Sequence, residues 1–332
     1  MNSSLLHVIS HTDLDGIAAA AVAWHRWQGR RLLKVSLAGY GSVDSLILES
    51  LDAGQEFIVM DLFCQDVRTV DALDRFHSPG NPPFAFDHHD TTAQKYGNRP
   101  WAVVDTSCCA AKVYYEWLAR EGVPEIEHLK PLVDIANDRD LWLNENPDSR
   151  LWNALITLCG SWTIFTRFAI NPDPSLSPLE RSAAEEFVEK QEKRFALALE
   201  KIGPRTADIA FVEPGILEFG DVSDFGGLIL DRLADPPLLV AVAAKRYSGE
   251  WAVSMRSRKE MAGKVVGMLR DGKKIRGGGH DDAAALYFPP SYTPAQIRST
   301  LEAALRTIRD SERPTGVTLG DLFASRGKEK QG

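Results

Sequence analysis

Apolar, β-prone runs alternate with helical patterns over the first 122 residues. The alternation favours a parallel sheet covered by helices on both faces, and such sheets bind ligands at the carboxyl ends of their strands. The sequence therefore predicts an α/β fold in its first half. The predicted strands span 5–10, 56–63, 82–89 and 101–107, and the predicted helices span 15–27 and 107–122, the second with Ser107 as its N-cap.

The pattern changes after residue 170. Residues 128–170 predict helices, the Pro-rich segment 171–178 predicts a break, and 179–202 has the Glu/Lys spacing of an exposed linker helix. Strands are predicted at 208–213, 238–247 and 250–257, and helices at 259–272 and near 293–311. The predicted domains are an N-terminal domain at 1–170, a linker with its connecting helix at 171–204, a smaller α/β domain with a mixed sheet at 205–312, and a polar tail at 313–332.

Composition excludes several classes of protein. The chain has 332 residues, 44% of them hydrophobic, which is enough for two cores. No apolar run reaches the roughly 20 residues that a membrane helix needs. The first residues lack the basic segment of a signal peptide, and the four cysteines make neither a disulfide framework nor a CxxC zinc pattern. We therefore expect a cytoplasmic protein without a membrane partner.

Charge is distributed unevenly along a chain whose net charge is −8. Residues 1–244 carry 21 basic and 36 acidic side chains, whereas 245–276 carry ten basic and three acidic ones. An acidic body with one basic segment indicates that an anion binds at a particular place, although a solvated charged surface would have the same composition.

Carboxylates and imidazoles follow three of the predicted strands. They are His11, Asp13 and Asp15 after the first strand, Asp61 after the second, and Asp87, His88 and His89 at the end of the third. Because the carboxyl ends of parallel strands meet at one edge of the sheet, these side chains are expected to lie together. A lone Asp after a strand is more often a helix N-cap or a turn former, but three such clusters predict a shared metal site.

The ligand set indicates which metal would bind. Carboxylate oxygen with imidazole nitrogen and no thiolate favours Mn²⁺, ahead of Mg²⁺, iron or zinc. So many acids would repel one another around one ion, whereas two divalent ions roughly 3.5–4 Å apart, bridged by a carboxylate, would balance them. The segment "DIANDRDLW" offers Asp134, Asp138 and Asp140 as the further ligand that the second ion needs.

These motifs resemble the DHH phosphoesterase superfamily over most of the chain. "SHTDLDG" is similar to the first motif of that family, Asp61 in "VMDLF" to the second, "DHH" at 87–89 is the third, and "ANDRD" is similar to the fourth. "VSMRS" at 253–257 and "RGGGH" at 276–280 resemble the DHH-associated domain. The resemblance is therefore to the two-domain subfamily, which includes RecJ-like exonucleases and nano-RNase/pAp phosphatases.

The resemblance implies a role for each matching residue. His11, Asp13 and Asp61 would hold one ion, and Asp15, Asp61, His88 and Asp138 the other, with Asp61 as the bridge. His89 would face the scissile phosphate or the attacking water, and Asp87 would orient a histidine. Two departures stand out: His11 precedes Asp13 by two residues where several members have four, and Asp140 remains an alternative to Asp138.

The basic segment is expected to bind the substrate. Backbone N–H groups of Gly277, Gly278 and Gly279 can approach phosphate oxygens, and Arg256 and His280 would clamp a phosphate or stack on a base. The leading interpretation is a phosphodiesterase that cleaves short oligonucleotides or dinucleotides with two divalent cations, Mn²⁺ or Mg²⁺. The alternatives are a phosphomonoesterase or exopolyphosphatase acting on pAp or polyphosphate, and an inactive nucleotide sensor. A homodimer is compatible with the sequence.

Overall fold

A computed structural model describes residues 5–39, 41–64, 66–202, 208–232, 235–258, 260–271, 274–279 and 281–312. The chain divides into an N-terminal unit, Met1–Lys190, and a C-terminal unit, Gln191–Gly332. No described helix is long and apolar enough to cross a membrane. All four cysteines are free thiols.

The N-terminal unit contains one five-stranded sheet with helices on both faces. Its strands lie in the order β2-β1-β3-β4-β5, and every pair is parallel. The prediction of a parallel α/β sheet is therefore confirmed. The elements are β1 (Leu5–Ser10), α1 (Leu14–Trp27), β2 (Leu32–Leu37), α2 (Val43–Asp52), β3 (Glu56–Met60), α3 (Val67–Phe76), β4 (Ala85–Asp87), α4 (Asp90–Tyr96), β5 (Ala102–Val104), α5 (Ala110–Arg120), α6 (Lys130–Asp140), α7 (Pro147–Cys159) and α8 (Ser161–Ile170). Helix α9 (Pro178–Lys201) begins in this unit and ends in the C-terminal unit.

Helix α1 is the centre of this unit. Residues 17–23 of the helix have no exposed surface, and the helix packs against α5, α6 and α8. All of these residues except Ile17 and Val22 are alanine, so the surrounding helices can approach closely on every side. The position of α1 fixes the loop that precedes it, which carries the first motif.

The sequence prediction missed four elements of this unit, namely β2, α2, α3 and α4. Strand β2 lies at the edge of the sheet, and its residues are exposed or half-buried, so it lacks the continuous apolar run of a central strand. The predicted strands at 82–89 and 101–107 are also shorter in the structure, because each stops where the polar loop begins.

The C-terminal unit contains a second, mixed sheet with the strand order β6-β7-β8-β10-β9. Strands β6 and β7 are parallel, and the other pairs are antiparallel. A mixed sheet was predicted, and the structure confirms it. The elements are β6 (Ile209–Val212), α10 (Val222–Arg232), β7 (Leu239–Lys245), β8 (Trp251–Ser257), α11 (Met261–Leu269), β9 (Arg276–Gly279), β10 (Ala283–Phe288) and α12 (Pro294–Glu312).

The glycine triplet lies in a strand. Residues 276–279 form β9, which pairs with β10 at the edge of the sheet, whereas the sequence alone suggested a loop. Glycine is a poor strand former, so its local preference gave no indication of a strand, and the pairing with β10 decides the conformation. Helix α10 and strand β10 were missed as well.

Helix α9 is less exposed than its charged sequence suggested. Ala184 lies in the core of the N-terminal unit, and Phe195 and Ala198 lie in the core of the C-terminal unit. Arg194 also donates two hydrogen bonds, from Nε at 2.6 Å and Nη2 at 2.8 Å, to the buried carboxylate of Asp221. Each half of the helix therefore belongs to a different core.

The buried His7 in β1 makes stability depend on pH. Its ring nitrogens contact the hydroxyls of Ser50, at 2.8 Å, and Ser36, at 2.9 Å, and burial together with the charge of Lys34 lowers its pKa to about 4. The pKa of His7 is lower in the folded state than in the unfolded state, so folding favours the neutral ring. Its contribution to the free energy of unfolding is therefore complete above pH 6.5 and is lost as the pH falls towards 4.

We expect the free energy of unfolding to fall more steeply between pH 6.5 and 4.5 in the wild type than in His7→Gln. The two pH profiles should diverge by no more than about 3 kcal/mol over this range. Urea unfolding at several pH values measures the difference, and common carboxylate effects cancel between the two proteins. Parallel profiles would contradict the low pKa of His7.

Candidate metal centre

The loop between β1 and α1 places two of the predicted ligands. Asp13 caps α1, with its Oδ1 accepting the N–H of Gly16 at 3.1 Å, and its Oδ2 lies 2.9 Å from His11 Nδ1. A methyl group on Gly16 would lie 2.6 Å from the backbone of His11, so only glycine permits this tight turn. Asp13 is therefore an N-cap and a neighbour of the histidine at once.

Asp61 lies at the centre of the polar cluster, directly after β3. Its Oδ2 is 3.6 Å from His11 Nδ1, and its Oδ1 is 3.4 Å from His88 Nε2. The residue is buried, and its φ of 60° is in the left-handed region, which costs a non-glycine residue about 1–2 kcal/mol. Such strain persists where the surrounding structure imposes it, and it is typical of functional sites.

The end of β4 supplies the two histidines and Asp87. Asp87 is buried, and its Oδ1 lies 2.6 Å from His89 Nδ1 and accepts the backbone N–H of His88 at 2.7 Å. The contact expected between Asp87 and a histidine is therefore present, and the histidine is His89. His88 instead points towards Asp61 and Asp15, with 3.8 Å between its Nε2 and Asp15 Oδ2.

Asp15 is held by the N-terminus of another helix. Its Oδ2 and Oδ1 accept the N–H groups of Ala110 and Ala111, both at 2.7 Å, at the start of α5. Asn137 accepts the preceding N–H, that of Cys109, at 3.0 Å. The predicted cap Ser107 is therefore wrong, because Cys109 is the N-cap residue and distant side chains bind the first N–H groups.

Of the three aspartates in the segment 134–142, Asp140 reaches the cluster. Its Oδ2 lies 3.5 Å from His88 Nδ1, and ligand atoms of Asp15, His88 and Asp140 lie within 4.8 Å of one another. Asp138 turns away, and its Oδ1 accepts the N–H groups of Glu145, at 2.7 Å, and Asn146, at 3.1 Å. Asp134 is exposed and pairs with Lys130.

In this geometry Asp140, and not Asp138, lies beside His88. Positions 138 and 140 are two residues apart on α6, and side chains at that spacing leave opposite sides of a helix. The choice of Asp138 stays a prediction, and the geometry favours Asp140, the alternative that the sequence left open.

Three overlapping groups of side chains could hold cations. Ligand atoms of His11, Asp13 and Asp61 lie within 4.8 Å of one another, as do those of Asp15, His88 and Asp140, and a third group of Asp61, Asp87, His88 and His89 overlaps both of these groups. Asp61 contacts a histidine of each group. Several atoms of the cluster and of the fourth motif are buried without a hydrogen-bond partner among the described residues, namely Asp61 Oδ2, Asp87 Oδ2, His88 Nε2, Asp138 Oδ2 and Asp140 Oδ2. Buried polar atoms of this kind need a ligand, so the residues fit divalent cations.

The pKa shifts in the cluster also indicate that cations would bind there. Burial raises the pKa of Asp15 and of Asp61 well above the usual range, and repulsion from Asp61 and Asp13, respectively, adds to it. Burial opposes protonation of His11, yet the charges of Asp13 and Asp61 raise its pKa to about 11. The clustered carboxylates therefore attract positive charge, which bound cations would supply.

Comparisons with known proteins give the fold. No protein-family model matches the chain, and no curated protein matches it. Among solved structures, RecJ from Thermus thermophilus in complex with Mn²⁺ aligns with a TM-score of 0.58 and 15% identity, over 92% of this chain and 52% of that one. The pGpG-specific phosphodiesterase PggH from Vibrio cholerae aligns with a TM-score of 0.51 and 12% identity, over 91% and 99%. CDC45 from Entamoeba histolytica aligns with a TM-score of 0.52 and 7% identity, over 91% of this chain and 95% of that one.

The chain has a RecJ-like fold. The alignments extend over about nine-tenths of it, so both units take part in the likeness. The DHH motif, at residues 87–89, ends β4 at the edge where β1 and β3 also end. The recognition made from the motifs is therefore confirmed at the level of the fold.

The residues predicted to bind substrate lie in the C-terminal unit. Arg256 is half-buried on β8, and its side chain packs on Gly226 of α10, where a methyl group would lie 2.6 Å from Arg256 Cγ. Gly277, Gly278 and Gly279 form most of β9. His280 lies outside the described residues.

The three glycines differ in whether their surroundings leave room for a side chain. At Gly277 a methyl group would lie 2.7 Å from Leu286 Cδ2, and Gly279 has a φ of 134° with the Ala283 carbonyl oxygen 2.5 Å from the position of a methyl group. A methyl group on Gly278 would have no atom within 4 Å apart from those of its chain neighbours. The fold therefore requires glycine at 277 and 279, whereas at 278 it leaves the backbone open to a ligand.

Sequence reasoning gave no role to Asn137 or Ser161. Ser161 at the start of α8 donates a hydrogen bond of 2.5 Å to the carbonyl oxygen of Thr12, between His11 and Asp13. These are polar residues with long-range partners, and no local pattern points to such partners. Asn137 at least lies within the recognised fourth motif.

Asp140→Asn should weaken Mn²⁺ binding at least tenfold, because it removes a charged oxygen from the group with Asp15 and His88. Titration calorimetry with Mn²⁺ measures the effect. The matched control is Asp138→Asn, which should bind Mn²⁺ nearly normally but unfold more easily, by about 1–2 kcal/mol, because two backbone N–H groups lose a charged acceptor. Stronger loss of Mn²⁺ in the control would restore Asp138 as the ligand.

Gly278→Ala should leave the melting temperature unchanged or slightly higher, yet lower kcat/KM on an oligonucleotide about tenfold, because the methyl group would cover backbone that we expect to approach phosphate. Gly277→Ala is the contrasting variant, and it should destabilise the protein by about 1–3 kcal/mol through its contact with Leu286. Thermal unfolding and steady-state kinetics separate the two effects. Normal kinetics in the folded Gly278→Ala protein would remove this strand from substrate binding.

Proposed function

We propose that this protein is a metal-dependent phosphodiesterase that hydrolyses short oligonucleotides or dinucleotides with two divalent cations. The observation that carries the proposal is the position of Asp61, whose two carboxylate oxygens face the two groups of side chains separately. The likeness in fold to RecJ, described in complex with Mn²⁺, and to a pGpG-specific phosphodiesterase supports it.

The proposed ligand sets follow from the geometry. His11, Asp13 and Asp61 would hold one cation, and Asp15, Asp61, His88 and Asp140 the other. Asp15 can bind a cation although both its oxygens accept hydrogen bonds from backbone N–H groups, because an ionised carboxylate has about four acceptor sites. When bound, such a pair of cations lowers the pKa of water and neutralises phosphoryl charge in an in-line displacement. Oxygen and nitrogen ligands favour Mn²⁺, with Mg²⁺ as the alternative.

His89 is the proposed contact to the reacting phosphate. Asp87 binds its Nδ1, so the ring can act through Nε2. Burial opposes protonation of His89, but the hydrogen bond and charge of Asp87 outweigh it and raise the pKa. Held in this way, the ring would present Nε2 to the phosphoryl group or to the attacking water. Asp87 is then a positioning residue that fixes the orientation of the ring.

We propose that the N-terminal unit carries the hydrolytic residues and the C-terminal unit carries the residues that bind the substrate. The carboxylate cluster lies wholly within the N-terminal unit, and an acidic cluster does not attract a polyanion by itself. Arg256 and the open backbone at Gly278, in the C-terminal unit, carry the features that suit phosphate. Hydrolysis and substrate binding would therefore depend on different residues.

A substrate panel tests the reaction. With Mn²⁺ present, pApA and pGpG should be cleaved faster than long RNA, pAp or polyphosphate. Fastest turnover of pAp or polyphosphate would replace the diesterase by the phosphomonoesterase or exopolyphosphatase. Binding of Mn²⁺ with no hydrolysis of any member would leave a nucleotide sensor.

Asp61→Asn should abolish Mn²⁺-dependent hydrolysis, with a loss of at least a thousandfold in kcat, while the protein stays folded. The change removes the one carboxylate that faces both groups of ligands, and it also relieves a buried charge. Kinetics and thermal unfolding in the absence of metal measure the two properties. Near-normal turnover of the variant would overturn the two-cation mechanism.

A further inference from the structure

One row of side chains crosses the sheet of the C-terminal unit and is not used by the residues assigned so far. Tyr287 on β10 pairs with Arg276 on β9 and with Ala252 on β8. On the far side of Ala252 its partner on β7 is Ala244, and Arg246 lies two residues further along, just past the end of that strand. Because paired residues project from the same face, Tyr287 and Arg276 are side by side, and the small Ala252 lets the longer Arg246 side chain reach the tyrosine.

Both guanidinium groups lie against the tyrosine ring. The Cζ of Arg246 is 5.5 Å from the ring centroid of Tyr287, and that of Arg276 is 5.8 Å from it. These distances are within the range of cation–π contacts. The row thus presents one aromatic ring and two guanidinium planes, surfaces on which nucleobases stack.

The row also carries excess positive charge. Arg276 donates to Glu250 at 2.5 Å, and this hydrogen bond, with the charges of Arg276 and Arg246, lowers the pKa of Glu250. One carboxylate faces two guanidinium groups, so the local balance favours an anion.

The face on which the row lies is partly open. Along β8 and β10 the alternate residues Trp251, Val253, Met255, Leu286 and Phe288 are buried in the core on the opposite face. On this face Ser254, Ala285 and Gly278 make a neighbouring row of small side chains, and Ser254 and Ala285 are half-buried while Gly278 is exposed. Small residues there leave room for a planar ligand above the sheet.

We propose that Tyr287, Arg246 and Arg276 form a nucleotide-binding subsite, in which a base stacks on the tyrosine–arginine surface and a neighbouring phosphate binds a guanidinium. The proposal rests on the function proposed above and names the part of the substrate that the C-terminal unit recognises. It requires a base as well as phosphate, so it commits to an oligonucleotide and not to polyphosphate.

The spacing of the rows sets a minimum length for the substrate. Arg256 pairs with Ala283, and Ala252 pairs with Tyr287, so the arginine and the tyrosine row are four residues apart along the sheet. At about 3.4 Å per residue this is roughly 13 Å. A ligand that contacts both rows therefore extends over more than one nucleotide, which favours an oligonucleotide over pAp.

The experiment measures kcat/KM with Mn²⁺ for pentaadenylate, polyphosphate and bis-p-nitrophenyl phosphate. Tyr287→Leu should lower the value on pentaadenylate by about five- to a hundredfold, the range that stacking of one base typically contributes. The same variant should keep its activity on bis-p-nitrophenyl phosphate and any activity on polyphosphate. The control is Tyr247→Leu, at a fully exposed tyrosine on the neighbouring turn, which should behave as wild type.

Arg246→Gln and Arg276→Gln should each lower kcat/KM on pentaadenylate. The loss of affinity with added salt should become shallower in both variants, because one phosphate contact is gone. Equal activity of Tyr287→Leu and Tyr247→Leu on pentaadenylate would overturn the subsite. Equal losses of Tyr287→Leu on pentaadenylate and polyphosphate would show that the ring only positions the arginines, which also overturns base stacking.

Failure of the proposed function has a different outcome. If the wild-type protein cleaves no nucleotide in the presence of Mn²⁺, the proposed reaction is wrong. If the wild type cleaves pentaadenylate and Tyr287→Leu cleaves it equally well, only the proposed subsite is wrong.

Discussion

The mutual repulsion of buried carboxylates at one edge of a parallel sheet governs the structure of the N-terminal unit. Asp15, Asp61 and Asp140 are brought together from the start of α1, the end of β3 and the end of α6, away from most solvent. Isolated buried charges of one sign are unstable, so the surrounding structure supplies N–H groups and histidines, and we propose that cations complete the balance. The left-handed backbone of Asp61 is part of the same arrangement, since an ordinary strand continuation would point its carboxylate elsewhere.

The helices around this edge act as a rigid frame. Helix α5 directs its first N–H groups at Asp15, and Asn137 on α6 binds the N–H immediately before them. The partial positive charge of a helix N-terminus favours a nearby carboxylate. Because α6 also carries Asp140, one polar junction fixes two members of the same proposed ligand group. Ser161 similarly joins α8 to the loop of His11 and Asp13.

We propose that the C-terminal unit binds an anion, and its sheet combines a packed face with a face that is partly accessible. Its sheet buries large side chains on one face and keeps Ala, Ser and Gly on part of the other. Arginines stand at two levels of that face, and the stem of Arg256 is fixed against Gly226. The acidic cluster and the arginine rows thus lie in separate units, as the uneven distribution of charge along the sequence suggested.

The sequence by itself determined the alternation of strands and helices, the mixed second sheet and the clustering of acids and histidines at three strand ends. These features depend on local apolar patterns and on the rule that parallel strands end at a common edge. Edge strand β2 and the glycine strand β9 escaped prediction because their formation depends on pairing and not on local preference. Only the tertiary structure distinguishes Asp138 from Asp140, since two residues of the same type in one motif differ only in the side of the helix from which they project, and Asp140 is the one that lies beside His88. It also decided that Asp15 binds the N-terminus of α5 and that Tyr287 lies between two arginines from earlier in the chain. Such contacts join positions far apart in sequence, and their physical cause is the register of strands and the packing of helices, which no local pattern contains.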